Sequence, residues 1–286
     1  MKTPKGLQAL VDDGIVDEVI RPLKSGKEAS VYLVASGGQV RCAKVYKEAN
    51  NRGFHRLAEY QEGRRARGSR DQRAMGKRSK HGRERQEVAW KNAEVDALYK
   101  LDSAGVRVPK PYGFFDGVLL MEVITDADGN AAPRLNEIDM SAEQAREWHA
   151  FLMRQIVLML CAGLIHGDLS EYNVLVGKDG PIIIDLPQAV DAASNNNAFR
   201  MLERDVNNMT TTFGRFAPEL LTTDYAHEIW KLYEDGALAP DVGLTGKFEH
   251  DQTRADVGDI LMHIDEARDE AERRERGRRE AEASQD

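Results

Sequence analysis

The chain has 286 residues, 31% of them charged and 41% apolar. That is too long for one small core and is the balance of a globular protein with a well-solvated surface, which excludes a collagen, a coiled-coil array or a mucin-like stalk. The net charge of −8 is unevenly spread: residues 51–91 hold 13 Arg and Lys against 5 Asp and Glu, a local +8 that leaves −16 for the rest. A basic block on an acidic body predicts an anionic partner for that block, nucleic acid being the obvious one. The plainer alternative is a solvated loop whose charge only keeps it in solution. The longest apolar run, Ile156–Ile165, is too short for a bilayer and follows Arg154 and Gln155, so it predicts a buried helix and no membrane association. The N-terminal lysines precede no apolar stretch, which argues against a secretory signal. Cys42 and Cys161 stand far apart among apolar neighbours and predict reduced, buried thiols in a cytoplasmic protein.

In chain order, Thr3–Val11 predicts a short helix stopped by Asp12-Asp13-Gly14. Alternating apolar residues in Ile15–Ile20, Ser30–Ala35 and Gln39–Tyr46 predict three strands, the last two joined through Ser36-Gly37-Gly38. The block from Gly53 to Arg85 has few large apolar residues and several glycines, and predicts a poorly ordered insertion. Trp90, Ala93, Glu94, Ala97, Leu98 and Leu101 then recur at helical spacing, ending before Gly105. Val106–Pro111 predicts an extended connection, and Gly117–Ile124 a buried strand. Ser141, with Gln144 at the capping-box position, opens a long helix whose apolar pattern lasts to about Leu164. His166–Asn173 reads as a loop. Val174-Leu175-Val176 and Ile182-Ile183-Ile184 flank Lys178-Asp179-Gly180 as a hairpin. Phe199 to Phe216 and Tyr225 to Tyr233 predict two further helices. From Asp265 onward, nine acids and six arginines predict a polar helix or a disordered tail.

The informative segment is His166-Gly167-Asp168-Leu169-Ser170-Glu171-Tyr172-Asn173, with Asp185 twelve residues on at the end of an apolar strand. An Asp on a loop, an Asn five positions later, a hairpin and a second Asp form the pattern of a metal–phosphate site. One carboxylate accepts the proton of an attacking hydroxyl, while the amide and the other carboxylate hold divalent metal against phosphates. Taken singly, each of the three reads equally well as a loop cap or a strand end; the order and spacing carry the functional reading. Lys44, inside the apolar strand Cys42-Ala43-Lys44-Val45-Tyr46, needs a partner because an unpaired buried ammonium is costly. Glu94 is the natural one, and together they would set the ammonium against nucleotide phosphates. The plainer reading is a lysine snorkelling from a strand edge. Small residues between Ser25 and Ser30 would let backbone N–H groups approach phosphate oxygens.

With these residues in place, the segments SGKEASVY, CAKVYK, LLMEVI, HGDLSEYN and IIIDLPQAVD resemble, in that order, the RIO family of atypical serine/threonine protein kinases. The resemblance runs from about Leu7 to Phe216. It implies an α+β, two-lobed, protein-kinase-like fold of trimmed type with ATP between the lobes. The expected division is an N-lobe over 1–122 carrying the insertion at about 51–87, a mostly helical C-lobe over 123–250, and a charged tail over 251–286. By matching positions it implies that Ser25, Gly26, Lys27, Glu28, Ala29 and Ser30 form the phosphate loop, that Lys44 binds phosphate, and that Glu94 is its ion-pair partner. Met121, Glu122 and Val123 fall at the adenine hinge. Asp168 is implied as catalytic base, and Asn173 and Asp185 as ligands of Mg2+ or Mn2+. Asp185 would double as acceptor in an aspartyl-phosphate intermediate. The implied activity is serine/threonine autophosphorylation or ATP hydrolysis, with ribosomal RNA or a ribosomal subunit as partner in subunit maturation.

Departures from ordinary protein kinases are clear. Gly167 stands where an Arg would precede the catalytic Asp, Leu186-Pro187 follows Asp185, and a three-glycine loop is missing. Ala217-Pro218-Glu219 imitates the motif that closes an activation loop, but the residues before it have helical period. Two other function classes share part of the pattern. Aminoglycoside- and choline-type kinases also use a His-Gly-Asp loop with an Asn five residues after the Asp. The Gly-Lys-Glu-Ala loop and the Ser-Glu-Tyr before Asn173 speak against them. A nucleotide-gated assembly factor whose basic loop binds RNA is the other. The remaining histidines show no paired metal-ligand spacing.

Overall fold

The computed structural model describes residues 3–26, 29–47 and 93–250. The expectations for Lys27, Glu28, the basic insertion and the charged tail lie outside the described residues. The chain divides into two compact units, Met1–Lys247 and Phe248–Asp286, and the first contains both lobes of an α+β fold.

The first lobe is an antiparallel sheet in the order β1-β2-β3-β5-β4. Helix α1 (Lys5–Asp12) starts after Pro4, whose ring sets an extended entry, and buries Leu7 and Leu10. Ile15 and Val16 do not form the expected strand. Their N–H groups both donate to the Leu10 carbonyl, so they close the end of α1, and Val16 is buried beside Leu7 and Leu10. Strand β1 (Glu18–Ser25) therefore begins three residues later than predicted; it is an edge strand with Pro22 and two register irregularities. Strands β2 (Ala29–Ser36) and β3 (Gln39–Tyr46) follow in unbroken register. Helix α2 covers 93–103 within the described residues. The expected extended connection over Val106–Pro111 does not lead straight to the one predicted strand. Instead β4 (Pro111–Phe115) pairs with β5 (Val118–Glu122) across Asp116 and Gly117, both with positive φ (46° and 78°), a two-residue hairpin turn.

The second lobe is mostly helical. Ser141 Oγ accepts from the Gln144 N–H at 3.1 Å and caps α3 (Ala142–Cys161). The helix stops three residues earlier than its apolar pattern suggests. Gly163 turns the chain at φ +73°, and Leu164–Ile165 (β6) peel away to pair with Val190–Asp191 (β9). Cys161, the last residue of α3, is exposed, which corrects the expectation of two buried thiols. Cys42 is buried, and that burial pushes its thiol up to about 12. Strands β7 (Val174–Gly177) and β8 (Gly180–Ile183) form the expected hairpin with a shorter turn. Helices α4 (Ala198–Gly214) and α5 (Tyr225–Glu234) pack on α3, with Pro218–Thr222 as a 3₁₀ turn between them. The main core runs continuously from Val95, Leu98 and Leu101 of α2 through α3 to Met209 and Phe213 of α4.

Candidate active site

Strand β3 lies inside the sheet, with Lys44 opposite Val31 of β2 and Leu119 of β5. Its period of two puts Lys44 and Tyr46 on one face, and both reach Glu94 of α2. Lys44 Nζ donates to Glu94 Oε1 at 2.5 Å, and Tyr46 Oη donates to Oε2 at 2.8 Å. Glu94 is 4% exposed, so both carboxylate oxygens need these donors. The lysine also reaches across the lobes to Asp185 Oδ1 at 3.3 Å. Burial alone would lower the Lys44 pKa, but Glu94 and Asp185 outweigh it and hold the ammonium above the ordinary lysine value.

The loop from His166 to Asn173 is fixed by its backbone. His166 is held at both ring nitrogens, Nε2 lying 3.1 Å from the Ile184 carbonyl and Nδ1 3.3 Å from the Asp168 backbone nitrogen. Gly167 sits at φ +78°, a conformation that disfavours any side chain at the place where ordinary kinases carry Arg. Its N–H donates to Asp205 Oδ2 at 2.7 Å, and its carbonyl accepts from Arg204. Asn173 Nδ2 donates to the Asp168 carbonyl at 2.9 Å, leaving Oδ1 as the oxygen available to a cation. The Ile184 N–H donates to the Asn173 carbonyl at 2.9 Å, so this loop and the residue before Asp185 are hydrogen-bonded twice. Asp185 itself adopts φ +68°, a strained conformation for a residue other than glycine.

A cleft of about 650 Å3 runs between the lobes, the size of a nucleotide pocket. Val31, Cys42 and Leu119 form one apolar wall and Leu175 and Ile184 the other, a slot suited to a flat aromatic base. Gly26, Ala29, Lys44, Glu94, Met121, Glu122, Val123 and Asp185 all line it. Asp168 and Asn173 are not among the lining residues; they lie on the loop that two hydrogen bonds tie to Ile184, which is one. Ser25 and Ser30 face each other across the β1–β2 pair, their hydroxyls 3.0 Å apart. Glu122 lines the cleft, but its carboxylate is taken by Arg107, at 2.9 and 3.1 Å. Burial would raise the Glu122 pKa, but hydrogen bonds from Arg107 and the Lys110 N–H hold it below the usual range. A carboxylate and an amide oxygen, with the amide's other end tied down, are hard donors that fit a small divalent cation.

The site contains residues that the pattern of motifs did not single out. Asp205 is buried and receives the N–H groups of both Gly167 and Leu169, at 2.7 and 2.9 Å. Its position among Met201, Leu202, Val206 and Met209 was the available signal: an acid on the apolar face of a helix needs donors. Burial pushes the Asp205 carboxyl up to about 6, against the pull of His166, those N–H groups and Arg204. Tyr46 and Arg107 were also passed over, because nothing local marks a residue whose partner is far along the chain.

The RIO domain model matches residues 30–226 of the sequence. Over 214 residues the chain is 35% identical to the RIO-type serine/threonine-protein kinase Rio1 of Haloferax volcanii, a match covering 72% of this chain and 67% of that one. It is 32% identical over 191 residues to the Rio1 of Thermoplasma acidophilum, covering 66% and 92%. It is 30% identical over 233 residues to the RIO1 kinase of Homo sapiens, covering 79% and 38%. This two-lobed molecule belongs to the RIO family of serine/threonine-protein kinases. The chain spans about two fifths of the length of the eukaryotic relatives it matches, 41% of the Schizosaccharomyces pombe kinase and 38% of the human one. The family implies ATP and a divalent cation, and the small-molecule-kinase and non-enzymatic readings are not favoured. No helix among the described residues is long and apolar enough to cross a membrane.

Proposed function

We propose that the cleft binds ATP and transfers its γ-phosphoryl group to a serine or threonine hydroxyl, of this chain or of another protein, in the cytoplasm. The observation that carries this reading is the junction at Lys44, one ammonium bonded to Glu94 of the first lobe and Asp185 of the second. The adenine lies in the apolar slot against the backbone of Met121–Val123, the phosphates run toward Lys44, and Ser25–Ser30, with Lys27 and Glu28, serves as the phosphate loop. Asp168 receives the hydroxyl proton as the oxygen–phosphorus bond forms and ADP departs. Mg2+ or Mn2+ held by Asn173 and Asp185 would neutralise charge on the phosphates. His166, Asp205 and Arg204 touch none of the reacting atoms; they hold the loop that carries Asp168. The lobes divide at the hinge, 1–122 from 123–250, with 251–286 as a charged tail. The basic insertion serves as a contact for ribosomal RNA or a ribosomal subunit.

The test is the purified protein with γ-labelled ATP and either cation, scored for label on itself, on ribosomal subunits, on aminoglycosides and in released phosphate. Label on serine or threonine supports the reading. Label on aminoglycosides alone would replace it with the small-molecule kinase.

A further inference from the structure

Arg107 lies behind the hinge, outside the cleft, yet three elements that shape the cleft converge on it. Its guanidinium takes both oxygens of Glu122, the residue at the end of β5, at 2.9 and 3.1 Å, and also reaches the Val108 carbonyl at 3.1 Å. Its backbone N–H donates to Gln155 Oε1, at 2.7 Å, and Gln155 is a buried residue in the middle of α3. Its carbonyl accepts from the Ile183 N–H at 3.0 Å, two residues before Asp185. Glu122 is locked from the other side as well: its N–H donates to the Lys110 carbonyl at 2.8 Å, and its Oε2 accepts from the Lys110 N–H at 3.1 Å.

We infer that Arg107 is a positioning residue for the nucleotide: it fixes the hinge backbone at Glu122–Val123 relative to β8, so that the adenine end and the metal end of the cleft share one anchor. The division of labour within the residue is specific. Its backbone serves β8 and α3, and survives any substitution of the side chain. Its side chain serves the hinge, through Glu122, and its own neighbour Val108. A planar bidentate fork holds a carboxylate in orientation as well as in place, which a lysine ammonium does not. Glu122 is thereby a hinge strut rather than a direct ligand of the nucleotide. The Arg107 and Glu122 side chains are 34% and 30% exposed, so the pair is only partly screened by water.

The inference rests on a nucleotide occupying the cleft, and the experiment separates the two. Adenosine and ATP binding are measured by calorimetry for the wild-type protein, Arg107→Met, Glu122→Gln and the double variant, with KM and kcat for ATP alongside. Adenosine carries no phosphate and needs no cation, so it reports on the adenine end of the cleft without the metal end. Arg107→Met should weaken adenosine and ATP equally, by roughly five- to tenfold, raising KM while kcat at saturation stays within about twofold. Glu122→Gln, whose amide oxygen can still accept, should cost no more than Arg107→Met, and the double variant no more than Arg107→Met alone, since both loosen the same pair. Arg107→Lys should recover only part of the loss. Unchanged adenosine affinity, additive losses in the double variant, or a fall in kcat at constant KM would each overturn the role. If Arg107→Met does not fold, Glu122→Gln, which leaves Arg107 its bond to Val108, decides alone by its adenosine affinity. Failure of the wild-type protein to bind adenosine or ATP would overturn the nucleotide reading itself, and this role with it.

Discussion

At the scale of single residues, the cleft is organised by charges that cannot be left alone. Glu94 is buried and holds two donors, so Glu94→Gln keeps its shape but leaves Lys44 with only Asp185 as a counter-charge. A charged hydrogen bond in such a place is worth about 2 kcal/mol, so phosphoryl transfer in this variant should drop on the order of thirtyfold, read as kcat/KM for ATP. Activity within twofold of wild type would show that the pair is only a packing contact. Asp185 is the second test. Asparagine tolerates positive φ at least as well as aspartate, so Asp185→Asn removes the charge without disturbing the turn. Metal-dependent ATP binding should weaken by roughly tenfold or more, while binding of metal-free adenosine is retained. Equal loss of both ligands would point to a collapsed cleft instead. If Asp185 also receives phosphate, protein quenched during turnover carries a hydroxylamine-labile label on that residue. Label that resists hydroxylamine and sits only on serine or threonine would exclude the intermediate.

At the scale of elements, the packed pair α3 and α4 carries opposed titrations, one on each helix. His149 of α3 is buried against Thr210, Phe213 and Tyr225, and burial lowers its pKa to about 4. Its unfolded value is near 6.5, so the folded state binds fewer protons in between, and its contribution to stability is lost as pH falls from about 6.5 toward 4. Asp205 works the other way. Its folded value, about 6, lies above the ordinary 3.8, so its contribution is full below 3.8 and disappears as pH rises through 6. The two contributions oppose each other across this window. His149→Phe removes one side of the balance. The stability difference between wild type and variant, from urea denaturation at pH 7 and pH 5, should shift by about 2 kcal/mol in the variant's favour at the lower pH. No shift would mean that the imidazole is not held neutral in the core.

At the scale of the whole molecule, what was legible in the sequence was what is local. The boundaries of β3 follow from alternation within a single segment, and the start of α3 from one capping serine. The His166–Asn173 loop, the hairpin and Asp185 follow from their order. Ile15 and Val16 misled because alternation does not reveal that their N–H groups return to Leu10. Strand β4 was missed because it exists through its pairing with β5, and Asp205, Tyr46 and Arg107 because their partners lie 36 and 38, 48 and 15 residues away respectively. The insertion between Lys44 and Glu94 is readable only as charge. With roughly six phosphate contacts, its RNA affinity should fall on the order of 10³ between about 50 and 200 mM salt. Replacing Arg64, Arg65, Arg67 and Arg70 with Ser should flatten that slope and leave autophosphorylation intact. Unchanged RNA affinity with impaired transfer would assign the block to the cleft instead.

The central claim, that this cleft transfers phosphate from ATP with Asp168 as proton acceptor, is tested most directly by single-turnover transfer at saturating ATP in wild type and Asp168→Asn. The amide retains the loop's backbone contacts to His166 and Asn173 but cannot take the hydroxyl proton. The account predicts a rate lower by about 10² to 10⁴ with ATP affinity unchanged. A wild-type rate in that variant, with ATP bound as tightly, would contradict it.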